Sequence, residues 1–99
     1  MIVKGKIKKE ELRSPFVKAV ADAKKELLAF DCDLHIDCAD ELIRNGSKAN
    51  DLWGINIYPD GHIDFISLIN IRPADNNRSM EIQNLEIRKR IENIVKKFL

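Results

Sequence analysis

The stretch that decides the fold is DLWGINIYPDGHIDFISLINIR, which runs from Asp51 to Arg72. Two runs rich in apolar residues flank Pro59-Asp60-Gly61, a pattern that predicts a β-hairpin. A three-residue loop with Gly61 in the left-handed conformation gives the preferred register. It separates apolar from polar side chains better near the turn, and one face has to be buried. This register pairs Ile57 with Ile63 and Asn56 with Asp64, and it continues along the strands as far as Leu52 with Leu68.

The two faces of this hairpin differ in character because successive side chains of a strand point in opposite directions. One face carries the apolar side chains that we expect in the core, Trp53, Ile55, Ile57, Ile63 and Phe65. The other face carries side chains that are able to do chemistry, Asn56, Tyr58, His62 and Asp64. A functional site is therefore expected beside the second face of the hairpin.

Periodicity predicts the remaining elements. Apolar residues recur at helical spacing over 16–30, after the start signal Ser14-Pro15, which predicts an amphipathic helix. Alternation over 31–38 predicts a half-buried strand with an ionic outer face. A short helix is expected over 39–45, and Asn84 is the expected N-cap of a last helix. That helix has an apolar stripe formed by Ile87, Ile91, Ile94, Val95 and Phe98.

These elements predict one α+β domain over residues 1–99. A brief edge strand is also expected over 1–7. Together with the other predicted strands it gives a three- or four-stranded mixed or antiparallel sheet with helices packed on one face. The length of 99 residues has room for one core and no second domain.

Composition indicates a small soluble protein, with 44% hydrophobic and 33% charged residues. The first residues contain no apolar segment typical of a secretory signal, so a cytoplasmic location is expected, and no segment is long and apolar enough to span a membrane. Cys32 and Cys38 are expected as free thiols, because an extended strand holds them too far apart to bond. Many Ile and Lys residues, with no Thr, favour a thermophilic source.

Charge is distributed unevenly along the chain although the net charge is only +1. Residues 31–75 hold nine acids and three bases, a balance of −6, and the remainder holds seven acids and fourteen bases, a balance of +7. A dedicated nucleic-acid-binding protein usually has a strong basic excess, so nucleic acid is not favoured as a partner.

Several runs of the sequence together resemble a known family. The run DLWGINIYP over 51–59, the Ile71-Arg72-Pro73 sequence and the Asn77-Arg78-Ser79 sequence that follows it carry the likeness, with the opening MIVKGKI and the last helix. The chain resembles a family of small bacterial and archaeal proteins classed as a domain of unknown function. The resemblance implies a single domain of cytoplasmic type, and it implies no catalytic residue.

The acidic middle of the chain motivates a specific hypothesis, a site for a divalent cation. Ca²⁺ takes six to eight oxygen ligands, mostly from carboxylates, carbonyls and water. The candidate ligands are Asp31, Asp33, Asp37 and Asp64. Asp31 and Asp33 are the pair close enough to converge on one ion, provided that a neighbouring strand supplies further oxygen. The expected ion is Ca²⁺, with Mg²⁺ as the alternative.

Three other interpretations stay open. The acidic face is equally consistent with a solvated surface that protects the sheet from pairing with other chains. An enzyme or an RNA- or anion-binding module would use Arg72, Arg78 and the loop between them, with His62 and Asp64 as an acid–base pair. No nucleophile or phosphate-binding motif supports catalysis, so a protein that is not an enzyme is favoured. The third interpretation is an interaction domain through which two copies of the chain pair. The sequence does not give the oligomeric state.

Overall fold

The computed structural model describes residues 1–99 and contains a four-stranded antiparallel sheet and two helices. The strands are β1 (Val17–Asp22), β2 (Leu27–Phe30), β3 (Leu52–Ile57) and β4 (Ile63–Asp64), and the helices are α1 (His35–Arg44) and α2 (Leu85–Phe98). The order across the sheet is β2-β1-β3-β4, with every neighbouring pair antiparallel. The predicted α+β class is confirmed. Neither helix has the length and apolar character needed to cross a membrane.

The sheet is covered on both faces, each by one helix. A larger core of 13 buried residues joins one face to α2, and it includes Ala19, Phe30, Ile55 and Ile91. A smaller core of six buried residues joins the other face to α1, through Val20, Ala29, Cys38, Ala39, Leu42 and Leu52. The helices therefore lie on opposite faces rather than on one, because β1 and β2 carry apolar side chains in both directions.

The hairpin that opened the sequence analysis is formed by β3 and β4 in the preferred register. Ile57 pairs with Ile63 and Asn56 pairs with Asp64. Gly61 has a φ of 90°, a value that glycine adopts readily, and the Tyr58 N–H donates to the His62 carbonyl at 3.0 Å. The ladder ends after these two pairs, so the chain leaves the sheet earlier than the sequence pattern suggests.

The predicted helix over 16–30 is wrong, because this segment folds as the antiparallel pair β1–β2. Asp22 makes the turn between the strands: its carboxylate accepts from the backbone N–H groups of Lys24 and Lys25 at 2.9 and 2.8 Å, and from the Ser47 hydroxyl at 2.6 Å. Since both faces of this hairpin are buried, its side chains show no simple alternation. The spacing of its apolar residues then imitates a helix.

The predicted strand over 31–38 is also wrong. Residues before His35 form a loop, and α1 begins at His35, four residues earlier than the short helix that was expected. Asp37, the third residue of α1, explains the early start, since its carboxylate accepts from the Leu34 N–H at 3.2 Å and caps the helix.

The early start of α1 also corrects the prediction of free thiols, since Cys32 and Cys38 are joined in a disulfide. A helix rises only about 1.5 Å per residue, against about 3.3 Å in a strand, so the two cysteines come close. Their Cα atoms are 5.8 Å apart. The bond closes a short loop that contains the first turn of α1.

The last helix forms as predicted. The Asn84 side chain accepts from the N–H groups of Glu86 and Ile87 at 2.9 and 3.1 Å, which satisfies two donors that have no partner within the helix. The apolar stripe faces the larger core, where Ile91, Ile94 and Val95 are buried.

Between β4 and α2 the chain packs against β3 without forming a long strand. The Asn70 side chain takes the place of a strand residue, because its amide accepts from the Gly54 N–H at 2.8 Å and donates to the Gly54 carbonyl at 2.9 Å. Ser67 lies so close that a Cβ atom built on Gly54 would stand 2.5 Å from the Ser67 Cβ. Only glycine allows this approach.

Candidate ligand-binding groove

A groove of about 340 Å³ opens on the face of the sheet that carries α1. β1 and β3 contribute its floor, the start of α1 forms one wall, and the chain after β4 forms the other. Its eleven lining residues are Phe16, Lys18, Leu34, His35, Ile36, Asn56, Ile66, Ser67, Leu68, Ile69 and Met80. The groove is thus assembled from five separate parts of the chain.

The rim of the groove is formed by large apolar side chains that are open to solvent. Leu34, Ile36, Leu68 and Met80 are four of the eight large hydrophobic residues that the protein exposes, and Leu68 is 72% exposed. Single exposed hydrophobic residues are normal in proteins, whereas several around one concavity are typical of a binding surface.

The floor of the groove is polar at its centre. Lys18 on β1 and Asn56 on β3 are directly paired across the strands, so both side chains stand on the same face. The Lys18 ammonium donates to the backbone carbonyl of Asp33 at 2.9 Å, which ties the wall to the floor. The Asn56 side chain is buried, and its Oδ1 has no hydrogen-bond partner. Such an unsatisfied atom is rare, and because Oδ1 is closed off from solvent, Nδ2 is the polar atom that Asn56 can present to the groove.

His35 stands in the wall of the groove as the first residue of α1. Its Nε2 lies 2.8 Å from the Ile55 carbonyl oxygen, which only accepts, so Nε2 carries the proton and Nδ1 is the acceptor of the neutral ring. Burial lowers the pKa of His35 below its ordinary value, and the charge of Lys18 adds to this effect; the hydrogen bond to the Ile55 carbonyl and the nearby Asn56 side chain oppose it. The ring is therefore neutral at neutral pH.

Ser67 is the one hydroxyl in the lining, and its environment is structural. It is buried, and its Oγ accepts from the Ile69 N–H at 3.3 Å, which caps a short 3₁₀ turn. His35 bonds to Ile55 and not to Ser67. Ser67 therefore has no base in hydrogen-bond contact of the kind that activates a nucleophile.

The four aspartates predicted as cation ligands are engaged separately. Asp31 pairs with Arg13, and Asp37 caps α1. Asp33 offers its backbone carbonyl to Lys18, and Asp64 accepts from the Tyr58 hydroxyl at 3.3 Å. No group of three or more His, Cys, Asp or Glu side chains is arranged to hold a metal ion. Cation binding stays a prediction without support from this geometry.

The alternative set of Arg72, Arg78, His62 and Asp64 is not brought together either. The Arg72 guanidinium lies 3.8 Å from the centre of the Trp53 ring and donates to the Ala49 carbonyl at 2.9 Å. His62 pairs with Asp60, its Nδ1 lying 2.8 Å from the carboxylate, and stacks on Tyr58. None of the five main cavities contains Arg72 or Arg78. Arg72 thus holds its loop against Trp53 and the Ala49 carbonyl, while its Nε and Nη2 are buried without hydrogen-bond partners.

Sequence reasoning found Asn56 as part of the free face of the hairpin but missed the rest of the groove. Phe16 and Lys18 lie in the segment that was predicted as a helix, and Leu34 and Ile36 were assigned to the buried side of a strand. The one available indication was Asn56 itself, a polar residue in the middle of an apolar run.

Comparison with known proteins assigns the chain to a family and to no activity. Residues 2–98 match the model of the family described as "Protein of unknown function (DUF5674)", so the chain belongs to that family. The resemblance to a domain of unknown function is thereby confirmed. No curated protein and no solved structure gave a significant match.

Proposed function

We propose that this family member is a ligand-binding protein whose groove takes a small organic molecule with an apolar body. The observation that carries the proposal is a concavity with four exposed apolar side chains on its rim and the buried polar side chain of Asn56 in its floor. Ligand sites in proteins are typically clefts of about 300–1,000 Å³ with mostly apolar walls and a few polar groups.

The apolar rim supplies the driving force for such binding. Removing apolar surface from water is favourable by roughly 25 cal/mol per Å², and Leu68 and Met80 have surface to lose. Since the rim residues stand on α1 and on the chain after β4, a ligand would bridge the two walls.

Titration with benzamide, observed by amide chemical shifts, tests this proposal. Benzamide has an aromatic body and an amide that matches the polar floor, and it carries no charge. We expect weak saturable binding, with shifts confined to the groove and centred on 34–36, 56, 66–69 and 80.

A matched pair of variants controls for non-specific binding. Leu68→Asp places a charge on the rim and should weaken benzamide binding by roughly tenfold, since it removes an apolar contact that the bound ligand would bury. Leu85→Asp changes an equally exposed leucine, 76% exposed, at the start of α2, and should leave binding unchanged. Shifts scattered over the surface, or equal effects of both variants, would contradict the proposal.

The predicted cation site is tested separately. Titrating Ca²⁺ or Mg²⁺ to millimolar concentration should shift the amides near Asp31, Asp33, Asp37 and Asp64 if these residues bind the ion. An absence of localised shifts would remove the hypothesis.

A further inference from the structure

The charge inside the groove narrows the class of ligand. Lys18 is the only charged side chain in the lining, where no Asp or Glu is present. We infer that the ligand is a small apolar monocarboxylate, with its carboxylate at Lys18 and Asn56 and its apolar body between Leu68 and Met80. This inference rests on the proposed function, because it names the ligand of the same groove.

Lys18 keeps donors available for an anion. Its ammonium has three N–H donors, and the protein uses one of them on the Asp33 carbonyl. That hydrogen bond also fixes the position of the ammonium, so a ligand does not have to order a free lysine chain.

Asn56 presents the donor side of its amide to the groove. Its Oδ1 is sealed from solvent, although the residue contributes to the lining, so Nδ2 is the polar atom on the open side. Lys18 and Asn56 stand at paired positions of neighbouring strands, where Cβ atoms lie about 4.5–5.5 Å apart. The two side chains thus stand side by side on the floor of the groove.

The start of α1 adds a favourable field. Leu34, His35 and Ile36 line the groove at the beginning of a ten-residue helix, the positive end of its macrodipole. Of the acids nearest to the floor and wall, Asp31 is paired with Arg13, Asp37 caps α1 through the Leu34 N–H, and Asp64, opposite Asn56 on β4, accepts from the Tyr58 hydroxyl; the carboxylate of Asp33 has no partner in the protein and lies outside the lining. His35 has a lowered pKa and is neutral at neutral pH, so Lys18 is the one positive charge that the lining offers.

A single carboxylate fits this site better than a phosphate does. One lysine and one amide match two oxygens and one negative charge, while phosphate groups are typically bound by arginines or several backbone N–H groups. A small inorganic anion would make no contact with the four apolar residues of the rim.

Comparison of three probes of one shape tests the inference at pH 7 and low salt. Benzoate carries the carboxylate, benzamide is neutral, and benzylamine carries the opposite charge. We expect benzoate to bind about three- to tenfold tighter than benzamide, as for a charge-assisted hydrogen bond at a partly exposed site, and benzylamine to bind weakest. Added salt should reduce the advantage of benzoate.

Two lysine variants locate the effect. Lys18→Met keeps the length of the side chain and should bring benzoate to the affinity of benzamide. Lys25→Met is the matched control, since Lys25 also donates to a backbone carbonyl, that of Gly46 at 2.7 Å, but lies outside the groove. Lys25→Met should keep the advantage of benzoate. Asn56→Leu provides a second variant and should also reduce it.

The outcomes separate the two proposals. If benzamide and benzoate bind in the groove equally, or if Lys18→Met keeps the advantage of benzoate, the carboxylate inference is overturned and the proposed function stands. If no probe shifts the groove residues, both are overturned.

Discussion

Asn77 holds the segment between β4 and α2 together from within. Its side chain is only 2% exposed; the two N–H donors of Nδ2 are shared among the carbonyl oxygens of Asn70, Ser79 and Glu81, which lie 2.7–2.9 Å away, and Oδ1 accepts from the Gln83 N–H at 2.8 Å. An asparagine in a loop often binds ligands or solvent. This one instead replaces regular secondary structure in a segment that has little of it.

Asn77→Ala should therefore destabilise the protein strongly. The substitution leaves several backbone groups without partners, and each unsatisfied buried group costs about 1–3 kcal/mol, so we expect a loss of about 3–5 kcal/mol in the free energy of unfolding. Urea denaturation measures it. Asn93→Ala, at an exposed position of α2, is the control and should change stability little. A loss below about 1 kcal/mol for Asn77→Ala would show that the segment does not depend on this side chain.

His35 makes stability depend on pH. Its pKa is lowered in the folded protein, chiefly by burial, so the unfolded chain binds a proton more readily at this residue. The contribution of the neutral ring is fully present above the ordinary histidine pKa of about 6.5 and is lost as the pH falls through the lowered pKa.

His35→Gln removes this dependence while keeping an N–H donor for Ile55. The variant should lose less stability than the unsubstituted protein between pH 7.5 and pH 5, as measured by urea denaturation at each pH. His62→Gln, at the exposed tip of the hairpin, is the control for the second histidine. Parallel pH profiles of the His35→Gln variant and the unsubstituted protein would contradict the assignment.

At the scale of elements, the sequence predicts those parts that a turn signal or a single apolar stripe defines. The β3–β4 register was correctly predicted from the Pro59-Asp60-Gly61 turn, although β3 is buried along its whole length, and α2 was correctly predicted from the stripe that contains Ile87 and Ile91. β1 and the start of α1 were not. β1 is buried on both faces, and the loop and first turn of α1 place Leu34 and Ile36 in the groove, where apolar residues are exposed.

The groove lay beyond prediction for a related reason. Its lining comes from five parts of the chain, and two of these parts had been given the wrong secondary structure. Lys18 and Asn56 become neighbours only through the pairing of β1 with β3, which no local pattern reveals.

The disulfide stabilises the beginning of α1. Cys32 and Cys38 close a loop of seven residues, which in the chain-entropy model restricts the unfolded state by about 2 kcal/mol. A dithiol reductant, which is oxidised as the bond becomes two thiols, should lower the free energy of unfolding by about this amount.

Reduction should also act on the groove, since Leu34, His35 and Ile36 lie inside the closed loop. We expect amide signals of 32–38 to shift or broaden on reduction, and benzamide binding to weaken. The Cys32→Ser variant should show the same behaviour without reductant and should not respond to it. Unchanged stability after complete reduction would contradict this role.

The whole molecule is organised around its two central strands. β1 and β3 each have a neighbouring strand on both sides, at least over part of their length, and a helix on either face of the sheet. The outer strand β2 is partly covered by the N-terminal segment, because the Val3 N–H donates to the Leu28 carbonyl at 2.8 Å. The sheet therefore has few unpaired backbone groups along β2.

Hydrogen exchange should reflect this organisation. Amides of β1 and β3 should exchange slowest, because only opening of the whole fold exposes them, while those of β4 and of the hairpin turn should exchange early. Amides of α1 should be intermediate, since its core contains six buried residues against 13 on the side of α2. Exchange as slow in β4 as in β1 would argue for a more uniform fold.

The Asn70 side chain that pairs with Gly54 has a consequence for recognition. By filling both hydrogen-bonding positions of that residue, it leaves no place there for a foreign strand to extend the sheet by β-augmentation. A peptide would first have to displace an amide that is completely buried. Beside Gly54, a ligand would therefore have to be recognised by side chains, as the proposed small organic ligand would be.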